Sequence, residues 1–352
     1  MNNPQPEIKI YTANELRAWL YNNHAAEGLS EAIISPSRAA AIVENPYIQG
    51  DTPVVAAVIV NGSPAAFTAS FPDCIEDKTY HWFSTLWCHP DHRGKGYGLL
   101  AVGSLCELFG ADNCLDMWGA PETVGIFQYL GHHTTSYPEY RFEPKHIKRG
   151  SLKGEAAYQL NRLHRLAKRL GQHTSTTKPD DYTLRYINQI DDKTFQFIRQ
   201  HSANDLIPRT QEMMNWILSH HFKRRTPLMD NEPQANPFDD RDTRYWMSGV
   251  CVIVANQTVG FYLLRDADSE LSVKYLYYNP DHHDSVFHSI AQHIATLGNP
   301  AFTTRNQQLA GYISDLNLFD KREIIDISFS YPAGFTITDT SISQGGDGDG
   351  FA

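Results

Sequence analysis

No apolar run in the sequence approaches the ~18 residues of a membrane-spanning helix. Met1 to Glu7 is polar and carries no apolar signal core. A soluble, cytoplasmic protein with no membrane partner is therefore expected. Cysteine is sparse: Cys74, Cys88, Cys106, Cys114 and Cys251 are odd in number and lack C-x-x-C spacing. Neither a full disulfide framework nor a cysteine zinc site is indicated, and buried thiols are expected. His220-His221 and His282-His283 are adjacent pairs. Neighbouring side chains point apart on a helix or a strand, so no metal site is expected. Positive charge is in deficit, with 30 Lys+Arg against 40 Asp+Glu and a net charge of −10. That argues against general nucleic-acid binding, which needs basic surface, and leaves room for a cationic substrate such as an amine.

What is present suits packed cores: 352 residues, 41% hydrophobic and 12% aromatic, enough for about two domains of ~150 residues. The most informative stretch is Leu86-Trp-Cys-His-Pro-Asp-His-Arg-Gly-Lys-Gly-Tyr-Gly-Leu-Leu100. Tyr80 to Trp87 reads as a strand, Pro90 stops it, and Leu99, Leu100, Val102 and Leu105 recur at helical spacing. A loop holding Gly94, Gly96 and Gly98 between strand and helix can turn backbone N–H groups toward an anion, where the helix dipole adds positive potential. The phosphate loop G-x-x-x-x-G-K-[ST] does not fit, because no glycine here is followed by Lys and then Ser or Thr in frame. Gly96-Tyr-Gly98-Leu-Leu-Ala101 does fit the dinucleotide pattern G-x-G-x-x-A, with Asp116 near the spacing of a ribose-binding acid. That fingerprint normally follows a first strand directly, whereas two or three strands precede this one.

The stretch resembles the acyl-CoA loop of the GNAT superfamily of N-acetyltransferases, a strand, a Pro and then [Q/R]-x-x-G-x-[G/A] at a helix start. Arg93, Gly96 and Gly98 fill that pattern, and Pro90 stands where the family often has a proline. The resemblance implies that Trp87, Cys88, Arg93, Gly94, Lys95, Gly96, Tyr97, Gly98 and Leu99 bind acetyl-CoA. It implies acetyl transfer by direct attack of an amine on a small molecule or peptide, in a monomer or homodimer. Two alternatives stay open: a regulatory module that binds CoA without catalysis, and an NAD-dependent oxidoreductase.

Pattern alone places a strand at Glu7–Tyr11, capped helices from Thr12 and Ser35, and a hairpin at Asn61-Gly62 between strands Pro53–Val60 and Ala65–Ser70. A strand at Cys114–Trp118, a helix at Pro121–Leu130 and a strand pair within His132–Phe142 follow. This is the GNAT element order. The family's last-helix signature ends in Ile126-Phe-Gln-Tyr-Leu-Gly-His132, with two departures. Phe127 occupies the position where many members carry a Tyr that protonates the leaving thiolate, and Ala120 replaces an Asn. Tyr129 lies ~200° around the helix from that position.

The chain also repeats itself. Tyr275-Leu-Tyr-Tyr-Asn-Pro-Asp-His-His-Asp-Ser-Val-Phe-His288 aligns with Thr85-Leu-Trp-Cys-His-Pro-Asp-His-Arg-Gly-Lys-Gly-Tyr-Gly98, and Gly249 to Leu264 repeats the hairpin. In this copy His283, Val286 and His288 stand for Arg93, Gly96 and Gly98, so its phosphate cradle is expected to be lost. The fold class is therefore α/β (α+β): two GNAT-like domains, each a mixed, mostly antiparallel sheet flanked by helices. The expected divisions are 1–143 for the CoA-binding domain, 144–180 for a basic helical linker, 181–343 for the degenerate copy and 344–352 for a disordered tail. A long polar insert spans 223–244. Candidate catalytic groups are His81 and Asp116 on adjoining strands, Glu122 at the last helix start, and Tyr129, with His132 and His133 nearby.

Overall fold

Thr12 ends strand β1 (Glu7–Thr12) and caps helix α1 (Ala13–Tyr21), its backbone N–H donating to Glu15 Oε2 at 2.7 Å in a capping box. Ser35 caps α2 (Pro36–Val43), whose first position is proline. Strands β2 (Pro53–Val60) and β3 (Ser63–Ile75) meet at Asn61 and Gly62, with φ of 54° and 78°. Two successive positive φ values are what a tight hairpin turn requires. β4 (Lys78–Cys88), α3 (Tyr97–Phe109), β5 (Cys114–Met117), α4 (Pro121–Tyr129) and β6 (His133–Glu143) complete the first half. The unbroken apolar run of β2 has a direct cause. Val55 and Ala57 pack with Leu16 and Trp19, while Ala56 and Val58 pack with Ala101 and Val102 of α3, so both faces are covered.

The structure is a computed structural model describing residues 5–22, 26, 28–143, 181–219, 245–267, 270–299 and 301–348. The expected basic helix at 144–180 and the insert at 223–244 lie outside the described residues. The second half runs β7 (Tyr182–Ile187), α5 (Asp192–His201), α6 (Gln211–Ser219), β8 (Tyr245–Val254), β9 (Gln257–Ala267) and β10 (Glu270–Tyr278). It continues with α7 (His283–Leu297), β11 (Ala301–Thr304), α8 (Gln307–Asp315) and β12 (Lys321–Tyr331). The repeat is visible in detail: a 3₁₀ turn follows β4 at Pro90–His92 and another follows β10 at Pro280–His282. The residue before each proline, His89 or Asn279, accepts the N–H two positions on through its side chain.

All twelve strands form one sheet in the order β1-β2-β3-β4-β5-β12-β6-β11-β10-β9-β8-β7. The strand pair expected within His132–Phe142 is corrected: β6 is a single strand whose partner comes from the other half. β12 pairs along all of β6, from His133↔Tyr331 to Glu143↔Lys321, and also with β5, while β6 pairs with β11. Each half thus lends its last strand to the other. Only β4–β5 and β10–β11 run parallel among the described strands. That topology is not the doubly wound parallel sheet of a dinucleotide fold.

A buried polar chain ties the halves together. Trp82 Nε1 donates to Asp73 Oδ2 at 2.9 Å, Arg209 pairs with the same carboxylate, and Arg209 Nε donates to Tyr275 Oη at 3.2 Å. Tyr275 Oη donates in turn to the carbonyl of Gly346 at 2.9 Å. This last contact belongs to the expected disordered tail, which is also corrected over its first five residues. Gln344 is 9% exposed and Asp347 fully buried, and the segment turns back on itself with Gln344 N donating to Asp347 Oδ2 at 2.7 Å. The glycines serve close packing rather than disorder: a Cβ on Gly346 would lie 2.3 Å from the Tyr275 ring, and one on Gly348 2.8 Å from Met117 Cβ. Residues 349–352 lie outside the described residues.

Candidate functional site

The glycine loop joins the end of β4 to the start of α3. Gly94 and Gly96 have φ of +75° and +81°, and a Cβ built on either meets nothing within 4 Å among the described residues. Backbone conformation, not crowding, requires glycine here, and the space in front of the loop is open. Gly96 is the N-cap of α3 and offers no side-chain cap, so the first-turn N–H groups keep their capacity for an external acceptor. Arg93 and Lys95 add two cations: Arg93 Nε donates to the carbonyl of Cys88 at 3.4 Å, and Lys95 Nζ lies 3.2 Å from His92 Nδ1. Gly98 faces inward, where a Cβ would sit 3.4 Å from Ile126 of α4. Tyr97 and Leu99 form the first turn of the helix.

β4 and β5 pair from His81↔Cys114 only as far as Phe83↔Asp116, then diverge. The cause lies in β4. Its register against β3 shifts between Ala69↔Ser84 and Phe67↔Trp87, with Thr85 at φ 56°. The bulge bends the strand away from β5. Between the diverging strands lies a cavity of about 300 Å³ walled by Ser84, Thr85, Leu86, Asp116, Trp118 and Phe127, among others. Beyond the bulge, His89 N donates to Ala65 O at 2.9 Å. Alternation along an antiparallel ladder then turns the Trp87 N–H toward β3 and the Cys88 N–H away from it, toward the gap.

The structure separates the candidate catalytic residues. Asp116 is 5% exposed and lines the cavity; Gly119 closes over it so tightly that a Cβ there would fall 2.5 Å from Asp116 Oδ2. His81 lies outside the cavity wall, stacked on Phe109 at 3.6 Å between centroids, and burial pushes its imidazole down to about 4. Glu122 is exposed in the first turn of α4, and Tyr129 is 77% exposed on the outer face of that helix. His132 is buried against Phe127 with Nε2 3.2 Å from the Cys114 carbonyl, and burial lowers its pKa; His133 is exposed. Phe127 is fully buried, lines the cavity and meets Phe83 edge to face at 5.3 Å between centroids. The Cys88 thiol is pushed up by burial, against the opposing pull of Arg93 and Lys95. The sequence reading missed two residues. Trp118 lines the cavity with a left-handed φ of 71° and a buried Nε1 that has no hydrogen-bond partner among the described residues. Arg38, on α2, donates to Ser84 Oγ at 2.6 Å behind the bulge. Only the backbone at Trp118, and long-range packing at Arg38, reveal them.

No protein-family model matches the sequence, and no curated protein is similar to it. Solved structures are similar throughout its length. A tandem GNAT protein from the clavulanic acid biosynthesis pathway is 12% identical, with 95% of this chain and 100% of that chain covered at a TM-score of 0.51. The N-myristoyltransferase of Saccharomyces cerevisiae, solved with bound myristoyl-CoA, is 11% identical, with 94% and 84% covered at a TM-score of 0.51. The fold is that of a tandem GNAT protein. At such identities the likeness is one of fold, and the bulged β4 with its glycine loop carries the rest.

The second GNAT unit has the same framework without the cradle. Where Arg93 is extended (ψ 148°), His283 is helical (ψ −37°), so α7 begins at His283 and the loop has become its first turn. Val286 is fully buried against β9, where a Cβ on Gly260 would fall 2.3 Å from it. The second unit's strand is also bulged, at Lys274, and here the C-terminal segment enters beside it. Gly346 N donates to the Lys274 carbonyl at 2.9 Å and Leu276 N to Gln344 Oε1 at 3.4 Å. A gap that is open in the first unit is filled by the chain itself in the second.

Proposed function

We propose that the first GNAT unit binds an acyl-CoA, acetyl-CoA in the simplest case, and transfers the acyl group to an amine of a small molecule or peptide. The observation that carries this reading is the conjunction of an uncapped helix N-terminus, two left-handed glycines opening onto free space, and a cavity beginning at the bulged end of β4. The residues fit the ligand: Gly94 to Gly98 offer backbone N–H groups to a pyrophosphate, and Arg93 and Lys95 offset its charge. Acyl-CoA would supply a thioester whose carbonyl carbon an amine attacks as the C–S bond breaks. The Cys88 N–H faces the gap and stabilises negative charge on a carbonyl oxygen there. Asp116 accepts the proton lost by the amine. Phe127 cannot donate a proton, so the departing thiolate, with an ordinary pKa near ~8.5, is protonated by solvent. The thioester is attacked directly, because the raised Cys88 thiol makes a poor nucleophile at neutral pH.

Titration of CoA by calorimetry tests the assignment. The expected stoichiometry is one per chain. Gly96→Val meets no atom but forces a β-branched residue to φ +81°, which costs at least ~1–2 kcal/mol and reshapes the loop. It should abolish CoA binding while leaving the circular dichroism spectrum unchanged. Unchanged affinity in Gly96→Val, or two CoA per chain, would end the reading.

A further inference from the structure

Above the end of β10 in the second unit lies a cavity of about 840 Å³, within the range of small-molecule sites. It occupies the place that the glycine loop commands in the first unit, with the chemistry inverted. In the aligned positions Asp284 replaces Gly94 and Ser285 replaces Lys95. No lysine or arginine lines the cavity among the described residues, whereas Asp205, Asp284 and Asp315 all do. The positive end of α7 amounts to only about half a charge and is already met by Asp284 in its first turn. His283 lies beside that carboxylate, Nε2 to Oδ1 at 3.2 Å. The cavity wall is aromatic: Phe287 meets Tyr278 at 5.1 Å and Tyr312 at 5.7 Å, at steep angles of 73° and 62°. Phe287 is buried between them, and the half-buried Tyr278 and Tyr312 leave aromatic surface on the cavity wall that an organic cation can meet. The acids stand at two depths: Asp205, held by Tyr277 Oη and Gln344 Nε2 on the floor, is pushed up to about 7 by burial, while Asp284 and Asp315 are exposed at the rim.

From this combination of volume, aromatic lining and carboxylates without lysine or arginine among the described residues, we infer that the second unit's cavity is a binding site for an organic ammonium ion bearing an apolar or aromatic group. The site is distinct from the acyl-transfer cavity and does not depend on it. A flat hydrophobic pocket would bind neutral and cationic forms of one ligand alike. A carboxylate-lined aromatic cavity discriminates by charge.

The experiment uses the full chain without CoA and titrates it with 2-phenylethyltrimethylammonium, which has no N–H and cannot be acylated, so binding is separated from turnover. The neutral comparator is 2-phenylethanol and the anionic one 3-phenylpropanoate. The cation should bind, the alcohol about tenfold more weakly or worse, and the carboxylate undetectably. Asp284→Asn, an exposed substitution, should weaken the cation by about three- to tenfold, and Asp284→Asn with Tyr312→Leu by more than tenfold. If the double variant fails to fold, the single variant and the charge series still decide. Gly96→Val should bind the cation as wild type does, which distinguishes this site from the CoA reading. Absence of cation binding, equal affinity for the alcohol, or an unaffected Asp284→Asn protein would overturn the inference.

Discussion

Two aromatic residues two positions apart on α4 meet opposite fates, and the difference fixes which side chains the proposed acyl transfer could use. Phe127 is buried in the cavity wall, while Tyr129 is 77% exposed and faces away. A helix turns ~100° per residue, so the two cannot exchange roles without rotating the helix. Tyr129→Phe should therefore leave kcat/KM within about twofold of wild type, whereas loss of a true general acid costs ~100-fold or more. On the proposed mechanism Asp116→Asn should lower kcat/KM by ~100-fold or more and flatten the acid limb of the pH profile. Thiol release from acetyl-CoA with a responsive amine, followed against pH for wild type and both variants, decides. A 100-fold loss in Tyr129→Phe, or an unchanged acid limb in Asp116→Asn, would move the proton path elsewhere. His81 illustrates how far sequence carries at this scale. Its place on a strand next to Asp116 made it a candidate, but alternation and the packing of Phe109 put it against α3 rather than in the cavity.

The short segment Gln344 to Gly348 reaches far into both halves for its length. It brings Asp347 between Arg209 and Arg305, two arginines that are themselves buried, and it fills the gap beside Lys274. Ending the chain at Ser343 removes this carboxylate, the Gly346 bonds and the Gln344 carbonyl that accepts from Arg305 Nη1 at 3.1 Å. Arg209 keeps Asp73 and Arg305 keeps Glu139, so the loss is that of buried hydrogen-bond partners, on the order of 1–3 kcal/mol each. The truncated protein should show a clearly lower midpoint in urea, in proportion, while a chain ending at Gly348 should match the full chain. An unchanged midpoint on truncation at Ser343 would show that the segment is peripheral. From composition this stretch looks like a solvated tail, because Gly, Asp and Ser dominate both flexible segments and turns wedged too tightly for a Cβ.

At the scale of the whole molecule, the reciprocal loan of β6 and β12 makes each half incomplete. Without β12, β5 and β6 lose a shared neighbour and with it the ladder of the central sheet; without β6, β11 and β12 do. Buried strands do not leave such rows of N–H and C=O groups unpaired. The halves should therefore unfold as one unit, with a single calorimetric transition whose van't Hoff and measured enthalpies agree. Two resolved transitions would show that the halves are stable separately. The buried Arg209–Asp73 pair works in the same direction, since it joins a loop of the second half to β3 of the first at 1% and 0% side-chain exposure.

The sequence by itself determined the local elements and the loop. Capping residues, the Asn61-Gly62 turn and the glycines after Pro90 act over a few residues, and their conformations follow from φ restrictions and orphan N–H groups that need no distant partner. It also determined, through Val286 and His283, that the second unit has no cradle. The tertiary structure alone decided which strand stands beside β5, that the C-terminal turn enters the core, and that Asp116 rather than His81 reaches the cavity. Those outcomes rest on pairings from about 70 to about 200 residues apart and on a bulge whose direction depends on its neighbours. A strand's own residues specify that it needs a partner on each edge, and they do not specify which partner.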